Sequence, residues 1–248
     1  MHPLLEQTFE TGTAELPDGS HIRVNSSITY DDCLLVERMI QKTAATSAIE
    51  VGMAFGISSL AIASSLLRRD ETRYVVIDPH QSHGWKNAGV HLLRRAGLAD
   101  MVQLIEEPSQ LVLPRLAAQG ERFDFVFIDG WHTFDHALVD FFFCDMLLNP
   151  GGVMMLDDVG YPAIDRVVRF ILSNRDYELV GATRVDEEAS RSLQWRRKFK
   201  RAVRPIARTD RDPSPAFDLV FSRLERAQVV ALEKLGEDSR RFDHFEAF

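Results

Sequence analysis

Two short apolar runs that end in acid constrain this chain more than any other feature. Phe125-Val-Phe-Ile128 leads into Asp129-Gly-Trp-His132, and Val153-Met-Met-Leu156 leads into Asp157-Asp158. A continuous apolar run of this length, bounded by turn residues, fits a strand buried on both faces, as in a parallel sheet covered by helices. In open sheets of that kind, ligands bind outside the carboxyl ends of the strands. The pattern therefore brings Asp129, Asp157 and Asp158 to one rim. Three carboxylates gathered there repel one another unless a cation or a proton lies among them. A hard divalent metal, magnesium for example, suits an all-oxygen set of this kind. Taken singly, the acids have plainer roles. Asp129 could cap the following helix, and Asp157-Asp158 could be a turn.

The rest of the chain repeats the alternation that such a sheet requires. Asp31 to Lys42 carries Cys33, Leu34, Leu35, Val36, Met39 and Ile40 at roughly helical spacing. Ala48–Val51 reads as a strand, Gly56–Arg69 as a helix and Tyr74–Ile77 as a strand ending at Asp78. A helix over Asn87–Ala96 closes at Gly97, a strand covers Val102–Ile105, and a helix covers Ser109–Ala118. After Phe125–Ile128, an apolar helix starts at Thr133 or Asp135 and reaches Leu148. Asn149-Pro-Gly-Gly152 turns the chain into Val153–Leu156, and Pro162–Leu172 is helical. Glu178–Val185 and Asp218–Phe221 read as late strands. Strand–helix alternation predicts an α/β fold with a doubly wound, mostly parallel sheet and right-handed crossovers. The late strands predict an antiparallel strand at one edge. The expectation is one domain over 1–248, with 1–45 as an N-terminal extension and 186–216 as a basic insertion.

Composition removes several alternatives. At 248 residues, with 45% hydrophobic and 27% charged residues, the chain has the balance of a globular domain. A formal charge of −8 argues against nucleic-acid binding by the whole surface. No apolar run approaches the ~20 residues of a membrane span, and the first residues lack a signal-peptide pattern. Cys33 and Cys144 form no C-x-x-C pair, so a reducing, cytoplasmic setting is expected.

Chemistry concentrates at the strand ends. Glu50-Val-Gly52-Met-Ala-Phe-Gly56-Ile-Ser58 lies where the first strand of the alternation meets its helix. Glycines there allow a ligand close to the backbone, and the helix start offers free N–H groups. The spacing lacks the third glycine of a dinucleotide fingerprint, and the acid before Gly52 disfavours a pyrophosphate. It suits an ammonium or hydroxyl group, as in S-adenosylmethionine; an NAD-dependent dehydrogenase is the rival, and an ordinary strand–helix turn is the plain alternative. Asp78 stands where an acid accepts ribose hydroxyls, or where it caps a helix. His132, three residues past Asp129, could take a proton from a substrate hydroxyl or simply begin a helix. His80 and His83 read as loop residues.

Together these residues resemble the class I S-adenosylmethionine-dependent methyltransferases, particularly the metal-dependent catechol-type and sugar or small-molecule O-methyltransferases. The resemblance runs from Ile49 to Val159. Glu50-Val-Gly52 and Gly56-Ile-Ser58 resemble the family's glycine motif, and Asp78 its ribose-binding acid. Glu106-Glu-Pro-Ser109-Gln110 resembles the segment whose Ser and Gln lie beside the adenine. Asp129-Gly-Trp131-His132 resembles the Asp-His-Trp-Lys segment of the catechol enzymes. The resemblance implies that Asp129, Asp157 and Asp158 bind the metal and that Trp131 neighbours the adenine. His132 replaces a lysine base and Gly130 an imidazole. The implied activity is methyl transfer to a small-molecule hydroxyl, with a metal-independent methyltransferase or a catalytically silent binding module as alternatives.

Two expectations fall outside that resemblance. The basic stretch from Arg191 to Arg211, with Trp195 and Phe199, reads as a lid, a solvated surface or an anionic docking patch. The apolar helix near residues 31–42 could pack against a second subunit, giving a homo-oligomer.

Overall fold

The computed structural model describes residues 1–25, 27–66, 72–183 and 227–248. The expected strand at 218–221 and the basic stretch 191–211 lie outside these residues. The elements, in chain order, are α1 (Pro3–Thr11), β1 (Thr13–Glu15), β2 (His21–Arg23), α2 (Tyr30–Thr43), β3 (Ser47–Val51), α3 (Ile57–Leu66), β4 (Arg73–Ile77), α4 (Ala88–Arg95), β5 (Val102–Ile105), α5 (Ser109–Ala118), β6 (Phe123–Ile128), α6 (Phe134–Leu147), β7 (Leu148–Leu156), α7 (Pro162–Asn174), β8 (Tyr177–Ala182) and β9 (Val230–Lys234).

Among the described residues, seven strands form one sheet in the order β5-β4-β3-β6-β7-β9-β8. The pairs from β5 to β7 are parallel, and β9 runs antiparallel to both β7 and β8. The antiparallel strand is thus second from the edge. At the edge itself lies β8, which overlaps the expected Glu178–Val185 strand and pairs antiparallel as expected; its partner β9 is a strand that the sequence pattern did not announce. Val229-Val-Ala-Leu-Glu-Lys-Leu235 has the composition of a helix as readily as of a strand. Its position between two strands overrides that preference, and Val230, Ala231 and Leu232 are fully buried.

Period-two alternation divides the sheet's side chains between two cores. Ala48, Tyr74, Val76, Phe125 and Phe127 face a core closed by α2, α3 and residues of α1 and α4. Ile49, Val75, Ile77, Val126 and Ile128 face a second core closed by α5, α6 and α7. The helices have identifiable starts. Thr29 caps α2 in a capping box: its hydroxyl accepts from Asp32 N–H, and the Asp32 carboxylate accepts from Thr29 N–H at 2.7 Å. The buried stripe of Cys33, Leu35, Val36, Met39 and Ile40 packs within this chain, so this face of the helix is not left for a second subunit.

Two local expectations are refined. Residues 1–30 contain α1 and the antiparallel β1–β2 pair, whose brevity hid them from periodicity. The Asn149–Gly152 turn is an irregular stretch inside β7, where pairing jumps from Phe123–Leu148 to Phe125–Val153. Gly152 is required there, since a Cβ would lie 2.8 Å from the Asp124 carbonyl oxygen. Both cysteines are buried and free. Among the described residues no helix is long and apolar enough to cross a membrane.

Candidate active site at the carboxyl ends of the strands

Asp78, Asp129 and Asp157 each occupy the first position past a strand, held there by the sheet's own ladder. Asp78 N–H donates to Ile105 C=O (3.1 Å), Asp129 N–H to Val51 C=O (2.8 Å) and Asp157 N–H to Ile128 C=O (3.1 Å). Backbone registry therefore fixes these residues before any side-chain contact forms. Gly52 fixes their spacing. Its φ is +92°, and a Cβ would lie 2.0 Å from the Asp129 carbonyl oxygen, so the two strand-end loops meet backbone to backbone.

The acids then diverge in role. His132 lies between two of them, with Nδ1 3.3 Å from Asp158 Oδ2 and Nε2 3.9 Å from Asp129 Oδ1. One ligand atom from each of Asp129, His132 and Asp158 falls within 4.8 Å of the others. The expected set was Asp129, Asp157 and Asp158. Asp157 is instead buried and engaged: its Oδ1 accepts the Asp158 N–H (2.7 Å) and the Gln228 side-chain amide (3.0 Å). Asp158 adopts a left-handed conformation with φ +55°, rare for a residue with a side chain. Burial, followed by the neighbouring Asp158 carboxylate, pushes Asp157 up to about 7. Burial and then Asp157 and Asp158 push Asp129 well above the usual carboxylate range. This is the electrostatic condition of a cluster that favours a proton or a cation.

Beside the acids lies a cavity of about 100 Å³, lined by Met53, Ser58, Trp85, Asp129, Gly130 and His132, with Ser27 and Ile28 from the N-terminal segment. Ser58 thus stands where the sequence places it. Trp85, packed edge-on to Phe55 at 5.1 Å, and the Ser27–Ile28 segment are contributions that the sequence reading missed. Neither belongs to a motif, and only the path of the chain brings them here.

The other expected cofactor residues are distributed less simply. Glu50 is fully buried; its Oε2 accepts from the Ser59 and Tyr74 hydroxyls, while Oε1 has no hydrogen bond among the described residues. Burial is the main cause that raises Glu50 to about 7, against the opposing effect of nearby Ser58, Ser59 and Tyr74. Asp78 is buried and already occupied. Met53 N–H (3.1 Å), Ala54 N–H (2.9 Å) and Gln81 Nε2 (3.0 Å) donate to Oδ2, and His80 N–H (2.8 Å) donates to Oδ1. In this arrangement Asp78 shapes the glycine loop. Gly56 has φ +79°, and its close approach is to the Gly89 backbone of α4, at 2.7 Å for a built Cβ. Ser109 starts α5 and lies by the buried Asp140, which burial raises to about 6. Gln110 is exposed, and Trp131 is 62% exposed with its ring 6.4 Å from His136. Neither borders the cavity.

Comparison with known proteins follows the same boundaries. Residues 49–159 match the model of a family described as a methyltransferase domain. Over that span the chain is similar to a methyltransferase domain. The matched span begins one residue before Glu50 and ends one residue after Asp158, so it holds the glycine loop and every acid of the rim. Among curated relatives, a probable caffeoyl-CoA O-methyltransferase 1 of Dictyostelium discoideum is 30% identical over 52% of this chain and 54% of its own length. A catechol O-methyltransferase of Bos taurus is 25% identical over 58% of this chain and 52% of its own. The chain spans about half the length of these relatives. Among solved structures, the O-methyltransferase TomG of Streptomyces achromogenes, in complex with S-adenosylmethionine, matches with a TM-score of 0.57 at 18% identity, covering 85% of this chain and 82% of that one. An O-methyltransferase of Bacillus cereus, in complex with S-adenosylhomocysteine, matches with a TM-score of 0.54 at 19% identity over 94% and 90%. The chain thus shares the fold of these structures, and residues 49–159 resemble the family's sequence pattern.

Proposed function

We propose that this protein transfers a methyl group from S-adenosylmethionine to a hydroxyl oxygen of a small-molecule acceptor, with a divalent metal, magnesium by its oxygen-rich ligands, at the acidic rim. The observation that carries the reading is the convergence of Asp129, His132 and Asp158 beside a cavity that also touches the glycine loop. The named relatives support the reaction class, and the cofactor-bound structural neighbours support the cofactor.

The donor set fits a divalent cation: two carboxylates and an imidazole within reach of one point, in a place where burial disfavours unbalanced negative charge. Asp129 and Asp158 would hold the metal, with Asp157 behind them. Such an ion, when bound, lowers the pKa of a hydroxyl that it contacts. The chain's own groups account for the remainder. His132, oriented through Nδ1 by Asp158, accepts the acceptor's proton. The acceptor oxygen forms a bond to the sulfonium methyl as the sulfur–carbon bond breaks, giving a methyl ether and S-adenosylhomocysteine. Ser58 and Met53 border the cofactor's place, Gly52 holds the glycine loop against Asp129, and these strand-end loops supply the alignment on which such a transfer depends.

A second reading has its own observation. Because His132 lies within the converging set, it could serve as the third metal ligand, leaving the proton to solvent. His132→Gln separates the two roles: loss of a base lowers turnover and alters its pH profile at unchanged manganese affinity, whereas loss of a ligand weakens manganese binding. For the reaction itself, labelled S-adenosylmethionine and a panel of phenolic and sugar hydroxyls should give methylated product with magnesium. Asp129→Asn should lower turnover at least about 100-fold while S-adenosylhomocysteine still binds. Full activity of Asp129→Asn in excess chelator would remove the metal from the mechanism.

A further inference from the structure

Gln228 lies outside the matched span, two residues before β9, and its side chain reaches the acidic rim. Its Nε2 donates to Asp157 Oδ1 at 3.0 Å and to Asp158 Oδ1 at 2.7 Å. An amide nitrogen carries two hydrogens, so one group serves both carboxylates. Its backbone is anchored on both sides. Val159 N–H donates to Gln228 C=O at 3.1 Å, and Val229 N–H donates to the Thr183 hydroxyl at 3.1 Å. That hydroxyl in turn donates to the buried Asp32.

We propose that Gln228 is a positioning residue, which holds Asp157 and Asp158 side by side and turns Asp158 toward Asp129 and His132. The proposal rests on the metal-assisted reading above. Adjacent carboxylates repel, and Asp158 sits in a left-handed conformation that a residue with a Cβ does not favour. Something must stabilise that arrangement when no cation does. The amide does so through Oδ1 of each acid, which leaves Asp158 Oδ2 directed at His132 Nδ1. The chemistry of the donor matters. Lysine or arginine could make the same two contacts, but its charge would cancel the field that attracts a metal. A neutral amide orients the acids and leaves their charge intact.

The test uses the full chain with Gln228→Met, which keeps length and flexibility and removes both donors, and with Gln228→Ala as a second variant. Manganese affinity is read by electron paramagnetic resonance, S-adenosylhomocysteine affinity by calorimetry and folding by melting temperature. The expected result is manganese binding weakened about tenfold or more, the usual consequence of removing a group that orients a metal ligand. S-adenosylhomocysteine affinity should stay within about twofold, because Gln228 does not border that cavity. Unchanged manganese affinity in both folded variants overturns the role of Gln228 and leaves the metal reading standing. Failure of the unsubstituted protein to bind manganese overturns the metal reading, and this proposal with it.

Discussion

At the scale of single residues, the strand-end positions show how one backbone constraint can set the chemistry of several side chains. Gly52 is the tightest of them. Gly52→Ala would place a methyl group on the Asp129 carbonyl in an unfavourable φ region, and we expect a loss of roughly 3 kcal/mol or more, read by urea unfolding. A variant within about 0.5 kcal/mol of the parent would show that the two loops do not meet as described. Glu50 gives a pH signature. Its ordinary value of 4.5 is raised to about 7 in the folded protein, chiefly by burial. Between those values the folded state holds a proton that the unfolded state has lost. Stability from this group is therefore full below about pH 4.5, falls as pH rises, and levels off above about pH 7. The slope is at most about 1.4 kcal/mol per pH unit. Glu50→Gln cannot titrate, so the gap between variant and parent should widen in the variant's favour across that window. Parallel pH profiles for the two proteins would contradict this.

At the scale of elements, α2 joins the fold to the site. Its cap, Thr29, adjoins Ile28, which lines the cavity, and its first-turn Asp32 accepts from Thr183 at the end of β8. Thr29→Ala removes one half of the capping box and should cost about 1 kcal/mol, whereas Thr29→Ser should restore most of it. Denaturation curves decide between this and a helix held by its buried stripe alone, in which case the alanine variant would match the parent. The element least readable from sequence is β9. Its Lys234 is fully buried and donates to the carbonyl oxygens of Asp145 (2.7 Å) and Leu148 (3.0 Å), and to the Glu237 carboxylate (2.8 Å). A lysine in a seven-residue stretch with alanine, leucine and glutamate suits a helix as readily as a strand. Pairing with β7 and β8 makes it a strand, and the carbonyl groups of Asp145 and Leu148 satisfy the buried ammonium.

At the scale of the whole molecule, the fold places the glycine loop, the acidic rim and the N-terminal segment around one cavity, and a ligand there should couple them. S-adenosylhomocysteine at about 100 times its dissociation constant should stabilise the folded state by about 2.7 kcal/mol. For a chain of this size that corresponds to a rise in melting temperature of roughly 5–10 °C. NAD at the same concentration should leave the melting temperature unchanged. The opposite pattern would support the dehydrogenase alternative that the missing third glycine and Glu50 disfavour.

The sequence by itself determined the parallel part of this protein. Buried strands announce themselves by local apolar runs, and helices by local periodicity, so Phe125–Ile128 and Ser109–Ala118 fall where the pattern puts them. The ladder then carries Asp78, Asp129 and Asp157 to one edge without further information. Tertiary structure decided what each acid faces. Asp78 turns to the glycine loop, Asp157 to Gln228, and His132 joins Asp129 and Asp158. These choices depend on hydrogen bonds between residues far apart in the chain, such as Asp157 with Gln228 and Asp32 with Thr183. No local pattern encodes such pairs. They exist only once β8 and β9 have closed beside β7 and brought the two distant segments within reach of the rim.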